Sequence, residues 1–262
     1  MNVSTTGLHR TPKHFYSWNG GPPVPGITSI IGILDKPALV GWAKRETAKA
    51  AVRNWKAVSQ MVADHPPLED QLSYHPAVAY LKATPGYQRD AAANAGTAVH
   101  AIAEAIAKGE KPDIPDEYED FTRAFMRDFV EKYKPKFHPL YVEAMVYHAG
   151  DDGTVLPYGG TMDLFCQIGD DVLLIDHKTT KSGVYPETAL QLAAGRYAQF
   201  IGLPGDPKKH VIPKVDRCAV LWIRPEGAEL IPYDVTPREL QAFAAARMAW
   251  DWVKNRSKEV KA

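Results

Sequence analysis

Residues 158–178 read YGGTMDLFCQIGDDVLLIDHK. This segment holds two runs rich in apolar, β-branched and aromatic side chains, Tyr158–Ile168 and Val172–Lys178. Runs of this length and composition favour β-strands, and the two aspartates between them, Asp170 and Asp171, favour a tight turn. The segment therefore predicts two neighbouring strands of a sheet.

Further strand patterns lie on both sides of this segment. Leu140–His148 is rich in valine and tyrosine, and the Asp-Asp-Gly sequence at residues 151–153 predicts a hairpin turn between it and Tyr158–Ile168. Cys218–Arg224 is typical of a buried strand, and Ala228–Val235 of a weaker one. We therefore expect a sheet in the second half of the chain.

Helical composition dominates the first half of the chain and flanks the strands of the second half. The helices are predicted at Pro37–Ala63, Asp90–Lys108, Asp116–Tyr133 and Pro186–Gly202, and from a capping box at residues 236–239 (Thr-Pro-Arg-Glu) to about Lys254. These elements predict an α/β fold with a central mixed sheet flanked by helices. A helical N-terminal region at residues 1–136 would pack on a core at residues 137–262 that ends in a helix.

The composition excludes several classes of protein. Of the 262 residues, 45% are hydrophobic and 24% are charged, unlike disordered, collagen-like or coiled-coil chains. The 31 Lys and Arg balance the 31 Asp and Glu, which argues against a uniformly basic surface for nucleic acid but permits a local basic path. Because neither a leader-like start nor an apolar run of about 18 residues occurs, we expect a cytoplasmic protein without a membrane partner.

The two predicted central strands carry two carboxylates and an amine. Asp163 lies on the first strand, while Asp176 and Lys178 on the second project to one face and His177 to the other. Neighbouring carboxylates repel each other unless a cation lies between them, and their hard oxygens suit Mg²⁺ or Mn²⁺. Lys178 could orient or deprotonate an attacking water and counter the developing negative charge. By itself, an Asp-x-Lys tripeptide is commonly a solvated turn with an incidental ion pair.

Short motifs follow one another in a defined order along residues 22–224. They are Pro25–Leu34 (PGITSIIGIL), Lys36–Ala43 (KPALVGWA), Gly96–His100 (GTAVH), Val142–Glu143, Gly160–Asp163 (GTMD), Asp176–Lys178 (DHK) and Gln191–Ala194 (QLAA). In this order they resemble the RecB-type branch of the PD-(D/E)XK nuclease superfamily, and especially its small phage-encoded exonucleases.

The resemblance implies a restriction-endonuclease-like core and a set of functional residues. The implied ligands of a Mg²⁺ or Mn²⁺ ion are His100, Asp163, Asp176 and the backbone carbonyl of His177. Lys178 would take the role of the catalytic lysine beside the catalytic aspartates, Asp163 and Asp176. Gln191 would orient the lysine, the water or the DNA backbone.

Three side chains near these motifs each have two interpretations. His100 lies on an alanine-rich helix, where an imidazole could join carboxylates in binding a metal, although a lone helical histidine is more often a packing residue. Glu104 shares its helix face and is either an acid near the metal ligands or a solvated helix residue. Glu143 is either an acid close to the site or a buried partner for a cation.

Two features depart from the family pattern. The family has a tyrosine four residues after the motif glutamine, where this chain has Gly195, and Tyr197 lies about 120° around a helix from Gln191. The branch with an iron–sulfur cluster needs four cysteines. Because Cys166 and Cys218 are the only two, neither that cluster nor a disulfide framework is expected.

The densest positive charge lies at residues 35–56, which hold six basic and two acidic residues, with Trp42 and Trp55 among them. The candidate DNA-contacting side chains are Lys44, Arg45, Lys49 and Arg53. Such a helix could follow phosphates and stack on a frayed base. It is equally consistent with an ordinary amphipathic helix whose tryptophans belong to the core.

Together these patterns predict a Mg²⁺- or Mn²⁺-dependent deoxyribonuclease, an exonuclease acting on linear DNA ends in phage recombination, replication or repair in the host cytoplasm. No ATP is expected to take part, because the chain has no Gly-x-x-x-x-Gly-Lys-Ser/Thr loop. A homo-oligomer, or a recombination or replication partner protein, would account for processivity. Two alternatives stay open: a DNA-binding or assembly module without turnover, motivated by Gly195, and a metal hydrolase of another phosphoester.

Overall fold

The structure is a computed structural model that describes residues 6–34, 36–66, 68–151 and 153–260. Asp35 of the basic segment and Asp152 of the predicted hairpin turn lie outside the described residues. The chain divides into two compact units, one formed by the described residues up to Leu34 and from Ala98 onward, the other by those of 35–97. The domain boundary at residue 136, and the packing of residues 1–136 on the core, stay predictions.

Two sheets form the β-structure of the larger unit. The small antiparallel sheet consists of β1 (Leu8–Arg10), β2 (Phe15–Trp18) and β3 (Val24–Pro25). The central sheet consists of β4 (Val142–His148), β5 (Tyr158–Ile168), β6 (Asp171–Lys178), β7 (Phe200–Leu203), β8 (Asp206–His210), β9 (Arg217–Arg224) and β10 (Gly227–Tyr233). The order across the central sheet is β10-β9-β6-β5-β4-β7-β8. Its β6–β9 pair is parallel and its other described pairs are antiparallel, so the sheet is mixed.

The helices lie in both units. They are α1 (Ile27–Ile31), α2 (Pro37–Arg53), α3 (Trp55–Asp64), α4 (Pro76–Ala107), α5 (Glu119–Phe125), α6 (Thr188–Arg196) and α7 (Pro237–Asp251). Shorter 3₁₀ turns occur at Glu69–Tyr74, Asp116–Tyr118 and Pro139–Tyr141, π-helical turns at Met126–Glu131 and Trp252–Arg256, and a last helical turn at Ser257–Glu259. The predicted α/β class, with a mixed sheet flanked by helices and a helical N-terminal region, is confirmed.

Helices cover both faces of the central sheet and bury two apolar cores. Residues of α1, α6 and α7 pack on one face with Leu174 of β6. The C-terminal part of α4 and the α5 segment pack on the other face with Leu173 and Ile175, because successive strand residues alternate between faces. Phe125 and Phe129, from the predicted aromatic helix, are almost completely buried there. Each fully buried side chain of this size contributes roughly 1.5–3 kcal/mol.

The described part of the smaller unit, residues 35–97, contains α2, α3, the 3₁₀ turn at Glu69–Tyr74 and the first part of α4. Where one helix was predicted over Pro37–Ala63, the structure has two, and Asn54 separates them. The Asn54 side chain donates a hydrogen bond of 2.9 Å to the hydroxyl of Tyr80 on α4. Asn54, at the break between α2 and α3, therefore has a specific hydrogen-bond partner within the unit.

Two further helix predictions differ from the structure. The helix predicted at Pro186–Gly202 ends at Arg196, and the chain then enters β7, whose Phe200 pairs with Tyr147 of β4. The helix predicted from Asp90 begins at Pro76 and continues through Pro85, although proline cannot donate the usual helical hydrogen bond. None of the described helices is long and apolar enough to cross a membrane.

Candidate active site

The candidate site lies on β5 and its two neighbouring strands, β4 and β6. The β4–β5 register pairs the neighbours of Glu143 with the neighbours of Asp163, so these two acids lie opposite each other. The β5–β6 pairing ends at the residues next to Asp163 and Asp176. Here the Asp163 carboxylate accepts a hydrogen bond of 2.6 Å from the backbone N–H of His177. Three adjacent strands thus bring three acids to one region of the sheet.

The glycine pair at the start of β5 lets other elements approach this strand closely. A Cβ on Gly160 would lie 2.2 Å from the Ile27 side chain of α1, and one on Gly159 would lie 2.5 Å from the Tyr16 side chain of β2. Because real Cβ atoms do not approach so closely, only glycine fits at either position. The glycine of the Gly-Thr-Met-Asp motif therefore has a packing role.

His100, Glu143 and Asp163 form a cluster of potential metal ligands. One donor atom from each side chain lies within 4.8 Å of the other two. The His100 Nδ1 atom on α4 lies 3.8 Å from the Asp163 Oδ2 atom, and all three side chains are partly buried. One imidazole nitrogen and two carboxylates make a donor set that suits Mn²⁺ or Mg²⁺ completed by water or substrate oxygens.

Glu143 has an unusual backbone and an unusual acidity. Its φ of 51° lies in the left-handed region, which typically costs a non-glycine residue about 1–3 kcal/mol. Burial raises the pKa of its carboxyl to about 8, and the charges of Asp163 and Glu104 add to this rise. A bound cation would offset both the burial and the repulsion, so the residues present fit a divalent metal.

Asp176 and Lys178 form an ion pair on β6. Asp176 is 3% exposed, and the Lys178 Nζ atom lies 2.6 Å from its Oδ2 atom. Burial raises the pKa of Asp176 to about 6, with Lys178 opposing the rise and Asp163 adding to it. Burial works to lower the pKa of Lys178, but the Asp176 carboxylate outweighs it and the pKa is raised. Lys178 is thus held as an ammonium that can donate hydrogen bonds and counter negative charge.

The structure groups the implied metal ligands differently from the sequence. His100 and Asp163 come together as the resemblance implies, and the electrostatic effect of Asp163 on Asp176 places the second aspartate nearby. Among the described residues, however, the third member of the ligand cluster is Glu143, and Asp176 is paired with Lys178. The sequence signal for an acid here was the Val142–Glu143 motif on the predicted strand Leu140–His148, and the strand register places Glu143 opposite Asp163.

The His177 ring points away from Asp176 and Lys178, as strand alternation predicts. It is 4% exposed and lies edge-on to His100 and Phe125, with ring centroids 5.6 and 6.1 Å away. Burial lowers its pKa to about 3, and the charge of His100 adds to this effect. Its Nε2 atom has no hydrogen-bond partner within the described chain. Ligation of a metal by its backbone carbonyl stays a prediction.

Gln191 lies half-buried on α6, the helix that packs on β5 and β6. In the described structure its side chain makes no hydrogen bond to Asp163, Asp176 or Lys178. Its implied role in orienting the lysine, the water or DNA stays a prediction.

Gly195 stands where the family has a tyrosine, and the packing of α6 explains why. A Cβ on Gly195 would lie 1.9 Å from the Met162 Sδ atom and 3.2 Å from Leu174. A larger side chain therefore cannot fit between this helix and the sheet. Tyr197 follows the end of α6, and its ring lies 5.6 Å from the Arg196 guanidinium.

Glu104 lies one helical turn after His100 and forms an ion pair with Lys108. Its charge raises the pKa of Glu143, so it is close enough to act on the cluster. Because Glu104 is already paired with Lys108, it fits an acid near the ligand cluster better than a ligand.

The predicted DNA-contacting residues lie on α2, in the unit formed by residues 35–97. All four are exposed, and Lys49 contacts the buried Glu46 at 2.7 Å. Within the described residues, Lys44, Arg45 and Arg53 form no ion pair. Trp42 is half-buried, whereas Trp55 is 60% exposed. Three cations and one tryptophan are thus accessible to a ligand.

Comparison of the chain with models of protein families and with curated protein sequences finds no match.

Proposed function

We propose that this chain is a divalent-metal-dependent DNA nuclease that hydrolyses phosphodiester bonds. The observation that carries the proposal is the His100–Glu143–Asp163 cluster, with its donor atoms within 4.8 Å of one another, beside the Asp176–Lys178 pair on the adjacent strand. A ligand cluster next to a fixed ammonium can support metal-dependent phosphodiester hydrolysis, because the metal activates water and the ammonium counters the developing charge.

His100, Glu143 and Asp163 would hold a Mg²⁺ or Mn²⁺ ion, with Asp176 adjacent. When bound, the metal supplies Lewis-acid activation of a phosphate oxygen and of the attacking water. Lys178 would donate a hydrogen bond to the substrate and counter the charge that develops on the phosphate. Asp176 keeps the Lys178 ammonium charged and in place.

DNA as the substrate is supported by the ordered motifs and by the accessible cations of α2. Arg45 and Arg53 lie eight residues apart, which is close to two helical turns, so they share one side of α2. Spaced cations of this kind can follow a phosphate backbone. We therefore propose an exonuclease that acts at linear DNA ends, in recombination, replication or repair.

Cleavage of labelled linear DNA by the purified protein tests the proposal. With Mg²⁺ or Mn²⁺, the wild type should release labelled products, and chelation should stop the reaction. Asp176→Ala and Lys178→Ala should each lower the rate of DNA cleavage at least about 100-fold, because each removes charge beside the reacting phosphate. Asp170→Ala, in the exposed turn between the same two strands, is the matched control and should keep wild-type activity. Equal cleavage by all four proteins, or none by the wild type, would overturn the proposal.

A second candidate function, DNA binding without turnover, is favoured by the surroundings of α6. Gly195 leaves no room for a tyrosine, and Gln191 makes no hydrogen bond to the acids or to Lys178 in the described structure. Metal titration separates the two functions. A binding module would hold DNA equally well with EDTA or Mn²⁺ and would release no product, whereas a nuclease needs the metal for cleavage.

A further inference from the structure

The turn between β1 and β2 holds a histidine in a backbone conformation that favours glycine. The Thr11 N–H donates to the Phe15 carbonyl at 2.8 Å, and the His14 N–H donates to the Thr11 carbonyl at 2.9 Å. This closes a tight turn in which His14 has a φ of 58°. Glycine or asparagine would adopt this conformation at lower cost. A histidine in this conformation indicates that its side chain has a function.

The His14 side chain accepts a hydrogen bond from the Arg10 side chain. The Arg10 Nη2 atom donates to the His14 Nδ1 atom at a distance of 2.7 Å, and both residues are exposed. An imidazole nitrogen that accepts this bond carries no proton and does not neutralise the guanidinium. Within the described residues Arg10 forms no ion pair with a carboxylate. The arrangement fixes one end of Arg10 and leaves its positive charge available.

Arg10 lies next to the candidate active site. It pairs with Tyr16 across the β1–β2 ladder, and directly opposed residues share one face of a ladder. Tyr16 packs on Gly159 of β5 and bonds the Thr161 hydroxyl at 2.9 Å, two residues before Asp163. The β1–β2 hairpin therefore lies over β5 beside the ligand cluster.

The charges around the cluster leave Arg10 without an acidic partner. Burial raises the pKa of Glu143, and the positive charges of Lys108 and Arg10 oppose that rise, so both cations are near this carboxyl. Lys108 is paired with Glu104, whereas the only hydrogen-bond partner of the Arg10 side chain in the described structure is the His14 imidazole. An anion that approaches the cluster would therefore meet the Arg10 guanidinium as an uncompensated positive charge.

We propose that Arg10 binds a phosphate group of the DNA at this site, with His14 fixing the orientation of its guanidinium. The inference rests on the proposed nuclease function and adds a substrate-binding residue to it. The planar guanidinium can hold two phosphate oxygens at once, which lysine cannot do. His14 engages one N–H of the Nη2 atom and leaves the other N–H groups of the Arg10 guanidinium for such a contact, so Arg10 would position the phosphate.

DNA binding and DNA cleavage, measured in parallel, test the inference. Binding of labelled DNA is followed by fluorescence anisotropy with Ca²⁺ over a series of salt concentrations, and cleavage is followed with Mn²⁺. Arg10→Ala should weaken binding and raise KM by about tenfold, and lower the salt slope by about one. Arg10→Lys should recover only part of the affinity. Lys13→Ala removes the same charge from the same exposed turn and should change binding less than twofold.

His14→Gly separates the positioning role from a structural one. Glycine accepts the left-handed backbone, so this variant should melt at or above the wild-type temperature while its KM rises about threefold. If Arg10→Ala binds DNA as tightly as Lys13→Ala does, the inference is overturned. A wild type that cleaves DNA would then still be a nuclease. A wild type that binds DNA through Arg10 without cleaving it would overturn the proposed function alone. A wild type that neither binds nor cleaves DNA would overturn both.

Discussion

At the scale of single residues, Glu143 has the most demanding position in the site. Its backbone is left-handed within a strand, its carboxyl is partly buried, and it lies across the ladder from Asp163. None of these features stabilises the fold without a cation. They become favourable together when a divalent ion binds between the carboxylates and His100, which is why we regard Glu143 as a ligand and not as a packing residue.

The stability of the metal-free protein should depend on pH through Glu143. Burial raises the folded-state pKa of this residue to about 8, above its ordinary 4.5. The folded state therefore holds the proton more tightly than the unfolded state, and the resulting stability is lost as the pH rises through 8. Between pH 6.5 and 9 we expect the free energy of unfolding to fall by on the order of a few kcal/mol.

Urea denaturation in EDTA at pH 6.5, 7.5 and 9 measures this effect. Glu143→Gln has no proton to lose and should flatten the dependence, whereas Glu110→Gln, an exposed control, should behave as the wild type does. Burial also raises the pKa of Asp176, but only to about 6, so its titration is largely complete before this window. A Glu143→Gln protein with the full wild-type slope would show that another group is responsible.

At the scale of elements, the site depends on how closely α6 approaches the sheet. Gly195 allows the helix to lie against Met162, and Gly160 does the same for α1 on the same strand. A glycine inside a helix usually lowers the stability of the protein by about 1 kcal/mol relative to alanine. A Gly195→Ala protein as stable as the wild type, or more stable, would therefore contradict this packing.

Gly195→Ala should destabilise the protein by about 1–3 kcal/mol, because its Cβ would lie 1.9 Å from the Met162 Sδ atom. Gly86→Ala is the control, since a Cβ added at that position of α4 would meet no neighbouring group within 4 Å, and it should be neutral or stabilising by up to about 1 kcal/mol. Adding Met162→Ala to Gly195→Ala should cost less than the sum of the two single changes. Additive free energies of unfolding would argue against the contact.

Elements set by local pattern could be predicted, and elements set by distant partners could not. The ends of β5 are those predicted, and the Thr236–Glu239 capping box is confirmed, because strand alternation and capping depend on neighbouring residues. The sequence pattern at β7 predicts a helix. The structure has a strand there because this segment pairs with β4, more than 50 residues earlier in the chain. The continuation of α4 through Pro85 also depends on more than local propensity.

The candidate site was predictable to a similar extent. The sequence placed Asp163, Asp176 and Lys178 on neighbouring strands, and the structure has them there. No local sequence pattern indicates the left-handed backbones of Glu143 and His14. The sequence indicates Glu143 as an acid close to the site, but its grouping with His100 and Asp163, and the position of Arg10 beside it, emerge only from the folded chain.

At the scale of the whole molecule, a net charge of zero hides an uneven distribution. Residues 36–56 carry six basic residues and one acidic residue, while two acids, Glu143 and Asp163, meet at the ligand cluster. A protein of this kind should bind DNA moderately, with most of the electrostatic affinity coming from a few cations.

Reversing two of these charges tests that distribution. Arg45→Glu with Arg53→Glu should weaken DNA binding by at least about tenfold and lower the salt slope by about two. Lys254→Glu with Lys258→Glu makes the same charge change at the exposed C-terminal segment and serves as the control. Equal losses in the two double variants would mean that net charge, and not α2, governs binding.

Calorimetric titration of Mn²⁺ into metal-free protein tests the central claim most directly. We expect wild-type protein to bind Mn²⁺ at the His100–Glu143–Asp163 cluster, and Asp163→Asn to weaken that binding by at least about tenfold. Asp170→Asn, on the turn between the same strands, should bind as the wild type does. Wild-type protein that binds no Mn²⁺, or an Asp163→Asn variant with unchanged affinity, would contradict the account.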